Sequence, residues 1–315
     1  MKRLAIIGGG WVGCHLALTL GKEAEVTVYE RSDKLLAGTS LVNQNRLHYG
    51  YHYARNASTR RLCADTFHRF LKDYGSVVHD VRDNLYAVSE DESLLDAATV
   101  SLIFDKWPLD LRDATLLDHT SMLFGTMEKR ISPIEASVFF EQHLRAIVKQ
   151  EEVQPRHLTA LKQDYDFVLD CTNNALLSPL PCHFFETVVM FLCRPTRPLP
   201  FGALTYIDGE LFSLYPYDSE CFSLSHVRHG ILNDGLSGEV GHAKENMVNH
   251  VMRYWPGFQD GFEFLHPVFS IKAKIKSGSA NRAPVIRQED NLLSFFTGKI
   301  QGIYAIEQMA KTIIR

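Results

Sequence analysis

Arg3-Leu4-Ala5-Ile6-Ile7, then Gly8-Gly9-Gly10-Trp11-Val12-Gly13, then Cys14 to Leu20, then Val26-Thr27-Val28-Tyr29-Glu30: this opening of the chain decides the fold. The first run is short, apolar and partly β-branched, the pattern of a parallel strand buried on both faces. The glycines follow at once, spaced Gly8-x-Gly10-x-x-Gly13. Cys14–Leu20 alternates small and apolar residues at helical spacing, with Gly21 as the C-cap. Val26–Glu30 reads as a second strand ending in an acid. Strand, glycine turn, helix, strand and acid in that order are the dinucleotide fingerprint in its required context. Gly8 makes the tight turn, Gly10 lets the backbone approach a pyrophosphate, and Gly13 lets the helix close on the strand. The helix N-terminus offers amide donors and a partial positive charge to the phosphates. Glu30 lies 17 residues after Gly13, placed to hold a ribose diol, and its charge opposes a 2′-phosphate.

The 315 residues suffice for about two domains. With 45% hydrophobic, 11% aromatic and 22% charged residues, the chain has an ordinary globular composition, which excludes disordered and collagen-like classes. A net charge of −4 without a basic patch argues against nucleic acid as a partner. Six cysteines (Cys14, Cys63, Cys171, Cys182, Cys193, Cys221) show no CxxC spacing, and read as small buried hydrophobes of a reducing compartment. The apolar run at the start, Leu4–Ile7, is too short for a signal peptide, and no stretch is long enough to span a membrane. A cytoplasmic protein is expected. His48 and His52 have a metal-like i,i+4 spacing, but no third ligand or HExxH follows, so no metal is expected. No internal repeat is visible, and no feature specifies an oligomeric state.

After Glu30 the chain does not continue as a nicotinamide-binding domain would, with a helix and a third strand. It runs through Arg31 and a small-residue loop, Ala37-Gly38-Thr39-Ser40, into Leu41-Val42-Asn43-Gln44-Asn45-Arg46-Leu47-His48-Tyr49-Gly50-Tyr51-His52-Tyr53. Here the sequence resembles the FAD-dependent amino-acid oxidase superfamily. Thr39, Ser40, Asn43, His48, Gly50, Tyr53, Leu62 and Cys63 are similar to the pattern of its L-2-hydroxyglutarate dehydrogenase-like branch. Asn45-Arg46 depart from that branch, which has glycine and an aliphatic residue there, so the substrate is not carried over. Further along, Ile131–Ile134 and a helix over 135–148 resemble the family's return to the cofactor domain. Asp166–Asn173 resembles its later strand, with Cys171-Thr172-Asn173 where relatives have Ala-Thr-Gly. Ser294–Ile300 leads into a helix from about Gln301 to Ile314.

The resemblance implies an α/β fold: a Rossmann-type, glutathione-reductase-like FAD-binding domain (1–80, 129–180, 280–315) with an inserted antiparallel β-sheet substrate domain (81–128, 181–279). Within the insert, residues 184–275 are aromatic and alternating, with turn signals such as Asn233-Asp234-Gly235. The implied cofactor is FAD, held by Gly8, Gly10, Trp11, Val12, Gly13, Glu30, Arg31, Thr39, Ser40, Asn45, Arg46, Leu47, Val153, Cys171, Thr172, Gly298, Lys299 and Ile300. Lys299 and the helix start beside it would stabilise negative charge on the reduced flavin.

A flavin accepts the hydride itself, so the protein has to hold a C–H bond against N5, fix a polar group and manage one proton. Arginine suits the clamp and histidine the proton. If 46–53 is extended, Arg46, His48, Gly50 and His52 share one face and Tyr49, Tyr51 and Tyr53 the other. His48 is the leading proton acceptor; the alternative is that it only shapes the flavin loop. His226 and Arg228, on a strand ending at His229, form a second set, with exposed cross-strand pairing as the alternative. Arg282, in Asn281–Ile286, is a further clamp, and Tyr51 a further acceptor. The expected activity is oxidation of a CH–OH or CH–NH group of a small polar substrate by hydride transfer to flavin N5. The alternatives are a flavin monooxygenase reduced by NAD(P)H and a non-catalytic nucleotide-binding partner protein.

Overall fold

In the computed structural model, the chain is described over residues 1–177, 183–232, 237–275 and 282–315. Cys182, Asn281 and the turn expected at Asn233–Gly235 lie outside these residues. Strand β1 (Arg3–Ile7) is buried from Leu4 onward and lies inside a six-stranded sheet. It pairs in parallel with β2 (Glu25–Glu30) on one side and with Phe167–Asp170 on the other. Leu292–Phe296 and its hairpin partner Val285–Glu289 extend one edge, and Val148–Gln150 closes the other. Helix α1 (Trp11–Leu20) returns the chain from β1 to β2 and buries Trp11, Cys14, Leu16, Ala17 and Leu20. The Trp11 ring lies 5.1–5.4 Å from those of Phe70, Tyr74 and Phe140, so this apolar corner locks α1 against two other helices.

The helix expected over 135–148 runs over Pro133–Leu144, started by Ser132, whose hydroxyl accepts the Glu135 amide. It stops early because Val148–Gln150 pairs with β2 as an edge strand, where β-branched Val148 fits. The five cysteines in the described residues are buried and free. Among the described residues no helix is long and apolar enough to cross a membrane.

A nine-stranded sheet draws its strands from 84–125 and 183–275. The antiparallel expectation holds for most of its pairs, but Ala203–Ile207 runs parallel to Asn84–Ser89, so the sheet is mixed. The two stretches enter one sheet as a crossover rather than as a continuous meander. Strand alternation sorts its faces. Leu85, Ala87, Leu204, Tyr206, Phe212, Leu214 and Leu224 pack beneath the helix Ser237–Tyr254 through Met247, Val251 and Tyr254. Tyr86, Thr205, Tyr215 and Ser223 point the other way, toward residues 44–46 and Glu128. A three-stranded sheet of Arg46–Leu47, Lys129–Ile131 and Val78–His79 completes the sheets.

The extended reading of 46–53 is corrected. Only Arg46–Leu47 is a strand, and Tyr51–Tyr53 is a 3-10 turn. Gly50 sits between them at φ +129°, where a Cβ would stand 2.8 Å from the Trp107 ring and 3.0 Å from the Arg60 carbonyl. The backbone bends there because no side chain fits.

Candidate active site

The glycine turn stands at the carboxyl ends of β1 and its neighbours. The Gly8 amide donates to the Tyr29 carbonyl at 2.8 Å, and the Cys171 amide to the Ile7 carbonyl at 2.8 Å. Gly8 has φ +99°, and a Cβ on Gly13 would meet the Gly8 carbonyl oxygen at 1.9 Å, so both positions require glycine. Gly10 differs: a Cβ there would touch only the Ser40 hydroxyl, at 3.2 Å. The outer face of Gly10 is therefore clear of the chain's own atoms apart from Ser40. Helix α1 has no side-chain cap and no acid in its first turn, which leaves its positive end open to an anion. These features fit a dinucleotide pyrophosphate.

Glu30 is pinned beside the turn, one oxygen accepting the Gly9 amide at 2.6 Å and the other the Ser32 amide at 2.8 Å. Each carboxylate oxygen keeps a lone pair for a ribose hydroxyl. Trp11 belongs to this region through its backbone amide, 3.3 Å from the Ser40 hydroxyl, because its ring is committed to the core. Val12 and Val153 pack against the two apolar clusters flanking the sheet. Arg31 points outward, 3.9 Å from Glu152, and Thr39 is exposed. Asn45 takes a left-handed conformation, φ +47°, and Leu47 is buried. Thr172 closes on Asp170 through its amide and hydroxyl, at 3.0 and 2.7 Å. Asn173 has φ +59°. Asparagine tolerates this region, so the replacement of glycine in Cys171-Thr172-Asn173 preserves a backbone that glycine would adopt.

His48 is buried where the strand Arg46–Leu47 ends. Its Nδ1 lies 3.0 Å from a Glu128 oxygen, and its carbonyl accepts from Gln301 Nε2 at 2.7 Å. Gln301 also donates to the Cys63 carbonyl at 2.9 Å, which ties this segment to the start of the last helix, beside Gly298, Lys299 and Ile300. Burial first, then Lys299 and Arg46, push the His48 imidazole down to about 4, while Glu128 pulls the other way. At neutral pH it is an uncharged acceptor. The His52 and Tyr53 rings lie 5.6 and 5.5 Å from it.

Arg46 is 6% exposed and projects onto the sheet. It donates to the Thr205 hydroxyl at 2.7 Å and to the side-chain oxygen Oε1 of Gln44 at 2.8 Å; among the described residues its Nε has no partner. The Tyr215 hydroxyl is buried beside it. The Lys299 ammonium lies 4.6 Å from the centroid of the Tyr53 ring, and burial with the charge of Arg46 lowers it to about 7. Lys299 is therefore not a solvated surface lysine. Arg282 packs over Gly298, where a Cβ would meet its Cδ at 2.8 Å. Arg46, His48, Lys299 and Arg282 thus belong to one neighbourhood.

Two candidates do not join it. The strand bearing His226 ends at that residue, with Arg228 and His229 in the following turn. By alternation His226 lies on the helix side of the sheet, opposite Ser223 and Arg46. Its Nδ1 accepts the amides of Arg228 and His229 at 3.1 and 3.2 Å. Its Nε2–H therefore donates to His250 at 2.6 Å, and His250 to Glu92 at 2.6 Å. His226 itself is buried, and its two ring nitrogens are both committed within this chain of bonds, which fits neither the catalytic reading nor exposed cross-strand pairing. Tyr51 is fully buried among Tyr49, Phe104, Trp107 and Phe124, with its hydroxyl donating to the Pro108 carbonyl at 2.7 Å. It is a core tyrosine.

Glu128, Tyr86, Thr205 and Tyr215 carry no local motif and were not anticipated. The one signal in the sequence was a carboxylate, Glu128, just before the expected Ile131 segment, and nothing in its spacing linked it to His48.

The family model described as FAD dependent oxidoreductase (DAO) matches residues 3–293. FAD-dependent monooxygenase FPY4 of Fusarium mangiferae is 29% identical, covering 99% of this chain and 90% of that protein. FAD-dependent monooxygenase kojA of Aspergillus flavus is 25% identical, covering 96% and 83%. Of solved structures, glycine oxidase from Geobacillus kaustophilus is similar in fold, with a TM-score of 0.73, 10% identity and coverage of 100% and 95%. The FAD-bound L-alpha-glycerophosphate oxidase of Mycoplasma pneumoniae has a TM-score of 0.69, 14% identity and coverage of 100% and 95%.

Proposed function

The chain belongs to the DAO family of FAD-dependent oxidoreductases, and we propose that it oxidises a CH–OH or CH–NH group of a small polar substrate, with FAD accepting a hydride. When bound, FAD supplies the two-electron acceptor. The convergence of Arg46 and His48 carries this reading: a buried guanidinium with a free Nε beside a neutral imidazole whose Nδ1 is already engaged. Arg46 would fix the polar group of the substrate. The Nε2 of His48 would take the O–H or N–H proton. Lys299 and Arg282 would hold negative charge nearby.

The division into a cofactor domain (1–80, 129–180, 280–315) and a substrate domain (81–128, 181–279) is supported by strand origin. Every strand of the six- and three-stranded sheets comes from the first set, and every strand of the nine-stranded sheet from the second. The pyrophosphate would lie over Gly10 and the start of α1, with the ribose at Glu30.

An anaerobic screen of hydroxy acids, amino acids and amines, read by bleaching of the visible flavin band, tests the reading. No bleaching by any CH–OH or CH–NH donor would overturn it. A monooxygenase is the second reading, favoured by the two fungal relatives named as such. Rapid bleaching by NADPH without an organic donor would select it. Membership in an oxidoreductase family sets the non-catalytic reading aside.

A further inference from the structure

The side chain of Glu128 has no exposed surface, yet it carries a carboxylate. Burying such a group is costly unless it is fully hydrogen-bonded. Its two oxygens divide their donors. Oε1 accepts the amides of Tyr49 and Gly50, at 2.9 and 3.0 Å. Oε2 faces His48 Nδ1 at 3.0 Å and the Tyr86 hydroxyl at 2.5 Å. Four donors thus satisfy both oxygens, which lets the carboxylate stay ionised despite its burial. An ionised carboxylate only accepts. The nitrogen facing it must carry the hydrogen, which leaves the imidazole lone pair on Nε2.

We propose that Glu128 is the positioning residue of the proton acceptor, fixing His48 as the Nδ1–H tautomer and holding the imidazolium that forms during turnover. The inference rests on the reading of His48 given above. With bound FAD supplying the two-electron acceptor, the substrate O–H or N–H proton would pass to Nε2 as the carbon gives up its hydrogen as hydride. The substrate carbon becomes C=O or C=N, and Nδ1–H stays bonded to an unprotonated Glu128. The charged groups acting on His48 are Lys299 from the loop before the last helix, Arg46 from its own strand, and Glu128 from the loop before Lys129–Ile131, with the His52 ring tilted beside it. Of these Glu128 alone is negative, so it alone favours the protonated ring.

The split between the oxygens makes Glu128→Gln a selective test. The amides of Tyr49 and Gly50 can only donate, so they draw the glutamine carbonyl to the Oε1 position. The amide NH₂ then faces Nδ1 and drives the hydrogen to Nε2. The loop stays pinned and the tautomer is reversed. In the FAD-loaded variant, flavin content should match the parent, while flavin reduction at saturating substrate should slow by about 10²–10⁴-fold, the contribution of a positioned proton acceptor that the wrong tautomer forfeits. The ¹⁵N shifts of the His48 ring should show hydrogen on Nδ1 in the parent and on Nε2 in the variant. In a His48→Ala background, Glu128→Gln should slow reduction no further, since a residue acting through another has nothing left to act on.

A parent ring with its hydrogen on Nε2 overturns the proposal, and that measurement needs no variant. So does a Glu128→Gln enzyme as fast as the parent while His48→Ala is slow, or a further loss in the double variant. If His48→Ala itself is as fast as the parent, the acceptor reading fails and the positioning role fails with it.

Discussion

The guanidinium of Arg46 lies over the ring of Tyr215, 3.9 Å from its centroid, with one nitrogen on Thr205 and another on Gln44. The two bonds use two of its five N–H donors, and among the described residues Nε has no partner. Lysine cannot reproduce this planar fork. Arg46→Lys should raise KM by about 10–100-fold, the loss of one or two charge-assisted bonds, with kcat less affected. Flavin content per chain checks the alternative: if FAD is lost instead, Arg46 holds cofactor rather than substrate.

His48→Ala should leave FAD bound, because the phosphate and ribose contacts are assigned to Gly8–Gly13 and Glu30. Flavin reduction under saturating substrate should fall by about 10²–10⁴-fold if the imidazole takes the proton. Stopped-flow bleaching measures it. A parental rate would make His48 a structural residue.

Gly10 and Gly13 should behave differently. A Cβ on Gly10 meets only the Ser40 hydroxyl, at 3.2 Å, whereas one on Gly13 meets the Gly8 carbonyl at 1.9 Å. Gly10→Val should fold and lack FAD, since the branched side chain occupies the pyrophosphate's place. Gly13→Ala should lose stability by roughly 1–3 kcal/mol, the scale of an overpacked core. Thermal melts of the FAD-free proteins, with flavin content measured separately, distinguish the two.

Burial and Arg46 lower the Lys299 ammonium to about 7 from its ordinary 10.5. Between these values the unfolded chain binds more protons than the folded one, so stability rises with pH across that window. Lys299→Met has no such proton. In FAD-free protein it should be more stable than the parent below about pH 7, with the advantage gone near pH 10.5. Urea titrations at several pH values read the difference.

His226 lies across the sheet from Arg46, so His226→Phe should leave flavin reduction within a few-fold of the parent. It should still affect stability. Burial and the neighbouring His250 hold its imidazole near 3, against an ordinary 6.5. Between those values the unfolded state takes up the extra proton, and the parent loses stability as pH falls from 6.5 toward 3. The variant should lose less over that range in denaturant melts.

The nucleotide end of the site was legible because its requirements are local. Gly8 needs a positive φ, Gly13 must have no side chain within 1.9 Å of the Gly8 carbonyl, and an acid must end the next strand. Each constraint selects a residue type at a set spacing, so the sequence alone determined the turn, its helix and the place of Glu30.

The catalytic end depended on tertiary structure. Strand periodicity placed His48 and His52 together, and they are close, but because Gly50 and a 3-10 turn fold the segment back. The same bend puts the Tyr53 ring beside His48 and buries Tyr51 in the core. Glu128 reaches His48 across 80 positions of sequence. His226 was excluded by which face of the sheet its strand presents, set by pairing with Phe212 and by the helix beneath. Local sequence specifies backbone conformation; which side chains meet depends on sheet parity and long-range packing, and those belong to the folded chain.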